Sequence, residues 1–291
     1  MKPGSDHYFV PHGSYWPIVG SIGLALLMVG FARFLTGAAA GKLMMSAGVT
    51  LTIVMLFGWF SSVIGESLSG RYNAQVDRTF RKGMGWFIFS EVMFFGAFFG
   101  ALFYARVLAV PWLGGAGTGM PTHMVLWPDF HAAWPLLHTP DPNAFTQPRQ
   151  AMPAEGIPAI NTLILLTSSL TVTWAHWGIK RDQRWRLIIG LAFTVVLGIT
   201  FLVLQAHEYV HAYENLNLKL NSGVYGSTFF LLTGFHGAHV TIGAIILSVM
   251  LLRAISGHFN AGKHFAFEAA SWYWHFVDVV WLCLFVFVYW L

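Results

Sequence analysis

Leu187-Ile188-Ile189-Gly190-Leu191-Ala192-Phe193-Thr194-Val195-Val196-Leu197-Gly198-Ile199-Thr200-Phe201-Leu202-Val203-Leu204-Gln205 contains no Asp, Glu, Lys or Arg. A bilayer core is crossed by about 20 apolar residues in a helix, and this run meets that length. Six more stretches do the same: Pro17–Leu35, Leu43–Ile64, Gly83–Val107, Ile157–Trp177, Tyr225–Leu252 and Trp272–Trp290. The apolar runs are continuous, without the alternation of a membrane β-barrel strand. The reading is an all-α membrane protein with seven transmembrane helices.

Composition supports it. Charged residues make up 10 % of the 291, against roughly 25 % in a soluble domain. The AVILMFWYC set makes up 56 % before 30 Gly are added. Such a chain lacks the charge to cover a soluble surface. Its apolarity excludes disorder, and one cysteine, Cys283, excludes a disulfide scaffold. No basic run with interleaved aromatics is long enough to suggest nucleic acid. Ala38-Ala39-Ala40 resembles a signal cleavage site, but the apolar run before it is too long and is preceded by few basic residues.

Basic residues set the orientation, because cytoplasmic loops carry an excess of Lys and Arg. Lys2, Arg71, Arg78, Arg81, Lys82, Lys180, Arg181, Arg184, Arg186, Arg253 and Lys263 fall on one side. Arg33, Lys42, Arg106, Arg149 and Lys219 fall on the other. The N-terminus is therefore expected in the cytoplasm and the C-terminus on the opposite side. The polar stretch Gly65–Lys82 reads as a hinge between two helices before it and five after it. The longest connection, Leu108–Gly156, is rich in Pro, Gly and Trp and lies on the outer side; loops of such length are commonly functional or interaction surfaces.

Ionisable groups inside a membrane are costly, so each is a site candidate. Glu91 lies inside the third segment, as a proton carrier, a polar contact in a cleft, or a protonated carboxyl bonded to a neighbouring helix. His275 and Asp278 share a face of the seventh helix, a spacing suited to a structural polar pair. His236 and His239 share a face of the sixth. His207-Glu208-Tyr209-Val210-His211 matches H-E-x-x-H, in which two His one turn apart bind zinc and Glu activates water. The motif lies at the outer end of its helix, and Asp278 is followed by Val279 rather than the Gly of a membrane metalloprotease. Haem ligation by His176, His236, His239 or His275 would need two at one depth, and no pair shows that clearly. A single Glu208-x-x-His211 unit is too little for a di-iron site, which uses two. Gly96 and Gly100 have a spacing that lets helices approach closely.

Longer blocks carry a resemblance. They are Trp16-Pro17, Trp59, Val63-Ile64-Gly65-Glu66, Arg81-Lys82-Gly83-Met84 and Phe89-Ser90-Glu91-Val92-Met93-Phe94-Phe95. They continue in Ile160-Asn161-Thr162, Thr173-Trp174-Ala175-His176, and Gly223-Val224-Tyr225-Gly226-Ser227-Thr228-Phe229-Phe230. The last are Gly234-Phe235-His236-Gly237, His239-Val240, Phe267-Glu268-Ala269-Ala270 and Trp272-Tyr273-Trp274-His275-Phe276-Val277-Asp278-Val279-Val280-Trp281. Over nearly the whole chain these resemble subunit III of the haem–copper cytochrome c oxidases, with a long loop of the bacterial type.

The resemblance implies two bundles, helices 1–2 (residues 1–70) and helices 3–7 (residues 71–291), separated by a V-shaped, lipid-filled cleft. It implies a non-catalytic subunit of a proton-pumping oxidase in a bacterial inner membrane, with the C-terminus periplasmic. In such an oxidase the chain has no redox or metal centre of its own. Haem and copper belong to partner subunits: it packs on catalytic subunit I, beside subunit II, and cytochrome c feeds the complex. It supports proton uptake and offers O2 a lipid path. By position, Trp59, Glu66, His239 and Arg253 resemble phospholipid-headgroup contacts, and Glu91 resembles the family's intramembrane carboxylate in the cleft. Where His207 stands the family has a small or aromatic residue, so the zinc motif reads as accidental. Where relatives have paired His, this chain has Arg71-Tyr72-Asn73, and Trp177 replaces a second His after His176.

Overall fold

The computed structural model describes residues 9–10 and 13–291; Lys2, used in the charge count, lies outside them. Seven helices are long and apolar enough to cross a membrane. They are α1 (Trp16–Leu35), α2 (Ala40–Leu68), α3 (Ala74–Leu113), α4 (Ile157–Lys180), α5 (Arg184–Glu214), α6 (Gly223–Ile255) and α7 (Phe265–Trp290). Among the described residues there is no strand.

The helices outrun the apolar segments that announce them. α3 starts at Ala74 rather than near Gly83, and α5 runs on to Glu214. Hydropathy marks only the apolar part of a helix, while backbone hydrogen bonding continues beyond it, here through Asp77 and Arg81, an i,i+4 pair at 2.8 Å. Most of the polar stretch Gly65–Lys82 is therefore helical, leaving residues 69–73 between α2 and α3. Glu91 lies 17 residues into α3, about 25 Å from its start at 1.5 Å per residue.

By internal contacts the chain forms two compact units, Met1–Lys82 and Gly83–Leu291. In the first, α1 and α2 lie backbone against backbone. A Cβ on Gly48 would fall 2.5 Å from the amide nitrogen of Leu27, so only glycine permits that approach. This hairpin has little core: 11 % of the α1 window and 6 % of the α2 window are buried, against 50 % for α7. Its side chains face outward, where lipid or a partner must cover them.

The second unit is built around α7. Trp274 is fully buried, and its indole N–H donates to Ser168 Oγ on α4 at 2.9 Å. Its ring fills a slot left by two missing side chains. A Cβ on Gly198 of α5 would stand 2.8 Å from it, and one on Gly243 of α6 2.9 Å. One turn pair further on, the Trp281 N–H donates to Thr162 Oγ1 on α4 at 2.9 Å. The Trp281 ring packs edge-on to Phe201 of α5 at 4.8 Å. Gly96 and Gly100, by contrast, meet nothing within 4 Å. Glycine spacing marks a face that permits close approach; it does not supply the partner.

The connection 114–156 is tied down rather than loose. Phe130, Leu136 and Met152 are buried in the core. The Arg149 N–H donates to the Leu216 carbonyl at 2.8 Å, and the Met152 N–H donates to the Tyr225 hydroxyl at 3.2 Å.

Gly243→Val should force Trp274 from its slot at a cost of about 1–3 kcal/mol, read as a lower thermal inactivation temperature of the purified protein. Gly237→Ala, at a position with nothing within 4 Å, should leave that temperature nearly unchanged.

Candidate functional site

A carboxyl–imidazole contact between membrane spans joins α3 to α6. Glu91 Oε2 lies 3.0 Å from His239 Nε2, with both side chains mostly buried. His239 Nδ1 lies 2.6 Å from the Phe235 carbonyl oxygen. A carbonyl only accepts, so Nδ1 carries a proton and donates it. Nε2 then either accepts from a protonated Glu91 or, in an imidazolium, donates to its carboxylate. One proton is shared across this bond in either state. The surroundings are aromatic: Phe94 at 5.9 Å, Phe95 at 5.0 Å and Tyr273 at 6.4 Å, the last nearly parallel to the imidazole. The Tyr273 hydroxyl donates to the His239 backbone carbonyl at 3.3 Å. Sequence reading singled out Glu91 and His239 separately and gave them different roles; the fold brings them together. No local spacing could have done so, because they are 148 positions apart.

His236, three residues before His239, goes elsewhere. It is buried, and its Nε2 donates to the Val277 carbonyl on α7 at 3.2 Å. His275 Nδ1 is 2.7 Å from Ser169 Oγ and Nε2 is 3.4 Å from Thr173 Oγ1, both on α4. Asp278, one turn further on, is buried, with the same Ser169 hydroxyl beside its carboxyl. His275 thus joins α7 to α4, and Asp278 lies on the same side of α7.

In the H-E-x-x-H stretch, His207 is exposed and Glu208 is buried. The Tyr289 hydroxyl donates to Glu208 Oε1 at 2.6 Å, joining α5 to α7. His211 Nδ1 is engaged by the Asn215 side chain at 2.7 Å. Glu208 and Tyr289 form an interhelical contact that sequence reading missed. The Glu was legible only as part of a metal motif, and its true neighbour lies 81 residues away.

At the other named positions, Trp59 is half-exposed and stacks on Phe60 at 6.3 Å. Glu66 Oε2 accepts a hydrogen bond from the Tyr72 hydroxyl at 2.8 Å. Burial, with the adjacent Glu66, raises the Tyr72 phenol well above its ordinary value, so it stays a neutral donor. Phe9 and Phe80 pack on its ring at 5.8 and 5.2 Å. Arg253 is buried over the Phe259 ring at 4.7 Å, and its Nε has no hydrogen-bond partner.

Known proteins share this chain's pattern throughout. The family model for "Cytochrome c oxidase subunit III" matches residues 6–139 and 125–291. This chain belongs to the cytochrome c oxidase subunit III family. Cytochrome c oxidase subunit 3 of Sus scrofa is 38 % identical over 293 residues, covering 100 % of this chain and 99 % of the relative. That of Cyprinus carpio is 40 % identical over 292 residues, with coverage of 100 % and 99 %. The probable cytochrome c oxidase subunit 3 of Rickettsia felis is 40 % identical over 298 residues, with coverage of 99 % on both sides, and it supports the bacterial type. Membership in subunit III makes the chain a component of an oxidoreductase complex of respiratory electron transport.

Tyr289→Phe should leave Glu208 without its donor and cost about 1–3 kcal/mol, measured by thermal inactivation. His207→Ala, at an exposed position, should change neither stability nor turnover measurably.

Proposed function

We propose that this chain is the non-catalytic, lipid-binding subunit III of a proton-pumping cytochrome c oxidase that reduces O2 to water. In this reading it carries no redox centre. It packs on and stabilises catalytic subunit I, with subunit II in the same complex and cytochrome c as the electron donor. Haem and copper sit in those partners. The chain supports proton uptake and gives O2 a lipid path. It lies in a bacterial inner membrane, N-terminus cytoplasmic and C-terminus periplasmic, in line with the excess of basic residues on one side.

The observation that supports this reading best is the bond between Glu91 and His239. A proton-sharing pair held inside membrane spans suits a subunit that modulates proton movement. The sparse core of α1 and α2 suits a surface covered by lipid and partners. Trp59, Glu66, His239 and Arg253 are the proposed lipid contacts. The Arg253 Nε, which has no protein acceptor, is well matched to a phosphate oxygen. Two rival readings, a zinc metalloprotease using His207, Glu208 and His211 and a stand-alone proton-coupled transporter using Glu91, predict a chain that works alone.

Purification in mild detergent separates them. A co-purifying partner with haem absorbance is expected; a chain that purifies alone and active would overturn the proposal. Glu91→Ala should leave assembly and haem content largely intact but shorten the active lifetime during sustained O2 consumption, followed at an oxygen electrode. Arg253→Ala should lower the anionic phospholipid retained by the purified complex, counted by mass spectrometry; unchanged lipid would remove Arg253 from the set.

A further inference from the structure

The contact between α4 and α7 holds an acid, a hydroxyl and an imidazole in line. Asp278 and His275 stand three residues apart on α7, and Ser169 of α4 reaches both. Ser169 Oγ lies 2.7 Å from His275 Nδ1. The same hydroxyl lies beside the Asp278 carboxyl, whose two oxygens make no fully formed hydrogen bond. Asp278 is 4 % exposed, whereas Ser169, Thr173 and His275 are part-buried. The line therefore runs from an enclosed carboxyl to a side chain that reaches the surface of the unit.

The donors give the line a direction. The Thr173 hydroxyl donates to the Ser169 carbonyl at 2.8 Å. Its single proton is thereby used, so Thr173 Oγ1 accepts from His275 Nε2, 3.4 Å away. With a proton on Nε2, a neutral His275 presents a lone pair at Nδ1, and the Ser169 hydroxyl donates to it. Ser169 Oγ then has only lone pairs left for Asp278. A neutral carboxyl can donate to them; a carboxylate, which only accepts, cannot.

Burial favours the same state. An ionised carboxyl in an apolar interior needs a partner charge, and among the described residues Asp278 forms no salt bridge. From α6, His236 packs against the same stretch of α7, but its Nε2 donates to the Val277 carbonyl.

We propose that Asp278, Ser169 and His275 form a proton relay between α7 and α4. At rest Asp278 is a neutral acid and His275 a neutral imidazole. In transfer, the Asp278 O–H bond breaks as its proton joins Ser169 Oγ, and the Ser169 O–H bond breaks as its proton joins His275 Nδ1. A carboxylate and an imidazolium result, and no proton is gained or lost. Thr173 is a positioning residue that keeps the other ring nitrogen protonated. The relay gives the chain a second place, apart from Glu91 and His239, where a proton is shared between spans. It does not depend on the oxidase reading, since every group in it belongs to this chain.

The test uses the intact complex purified from membranes. Infrared spectroscopy reads the carbonyl stretch of a protonated carboxyl, and the Asp278 band is the one lost in Asp278→Asn. On transfer to heavy water the band shifts as deuterium replaces the proton, and the rate of that shift reports passage through Ser169. The wild type should show the band at neutral pH, with exchange about tenfold slower in Ser169→Ala. Ser169→Thr, which keeps the hydroxyl, should recover the wild-type rate. No band difference between the wild type and Asp278→Asn overturns the proposal, as does an unchanged exchange rate in Ser169→Ala. Nitrogen NMR reads the resting state without any variant. With histidine and serine isotope-labelled, His275 is identified in the wild type by its through-space contact with Ser169. A proton on Nε2 and none on Nδ1 is expected; a proton on Nδ1 overturns the proposal.

Discussion

The slot that holds Trp274 is the constraint on which the five-helix unit depends. Its indole is fully buried, sits against Gly198 on α5 and Gly243 on α6, and donates its one N–H to Ser168 on α4. Four helices are thus registered by one side chain. In a bilayer the driving force for helix association is not the hydrophobic effect, since lipid tails are as apolar as the side chains. Close packing and interhelical hydrogen bonds take its place. A large flat ring in a glycine-lined slot provides packing contact, and the Ser168 bond fixes its depth. Trp281, seven residues on, repeats the arrangement with Thr162 and Phe201.

Once α7 is fixed, several polar side chains within the spans meet partners on other helices. His275 reaches Ser169 and Thr173 on α4, His236 reaches the Val277 carbonyl on α7, and Tyr289 reaches Glu208 on α5. Glu91 and His239 do the same between α3 and α6. Water is scarce in the hydrocarbon, so a polar group on a span needs a partner from a neighbouring span. The few ionisable groups act as connectors in the second unit. The α1–α2 hairpin uses another device. Glycines such as Gly48 let its two backbones touch, and its outward side chains remain for lipid or partner protein.

Short motifs and long-range contacts differed in what they could reveal. H-E-x-x-H is complete as a string, yet its Glu is bonded to Tyr289 and its first His faces outward. A string specifies which groups share a turn of helix, whereas a site also requires a third direction supplied by other helices. His176, His264 and Glu268 have no motif as a set, yet they lie together because α4 and α7 run side by side. Gly96 and Gly100 present a face suited to close approach that meets nothing, while Gly198 and Gly243, not singled out by spacing, line the slot that holds Trp274.

The sequence by itself determined the membrane, the number of spans and the subunit III family, because apolar length is a local property and family blocks are runs of adjacent residues. It also exposed Glu91, since a carboxylate within an apolar run stands out without any knowledge of its neighbours. The tertiary structure alone decided that Glu91 meets His239, that His275 meets Ser169 and Thr173, and that Glu208 belongs to Tyr289. Those pairings depend on the rotation and depth of each helix. Rotation and depth are set by packing such as the Trp274 slot, which joins residues far apart in the chain and leaves no periodic trace in it.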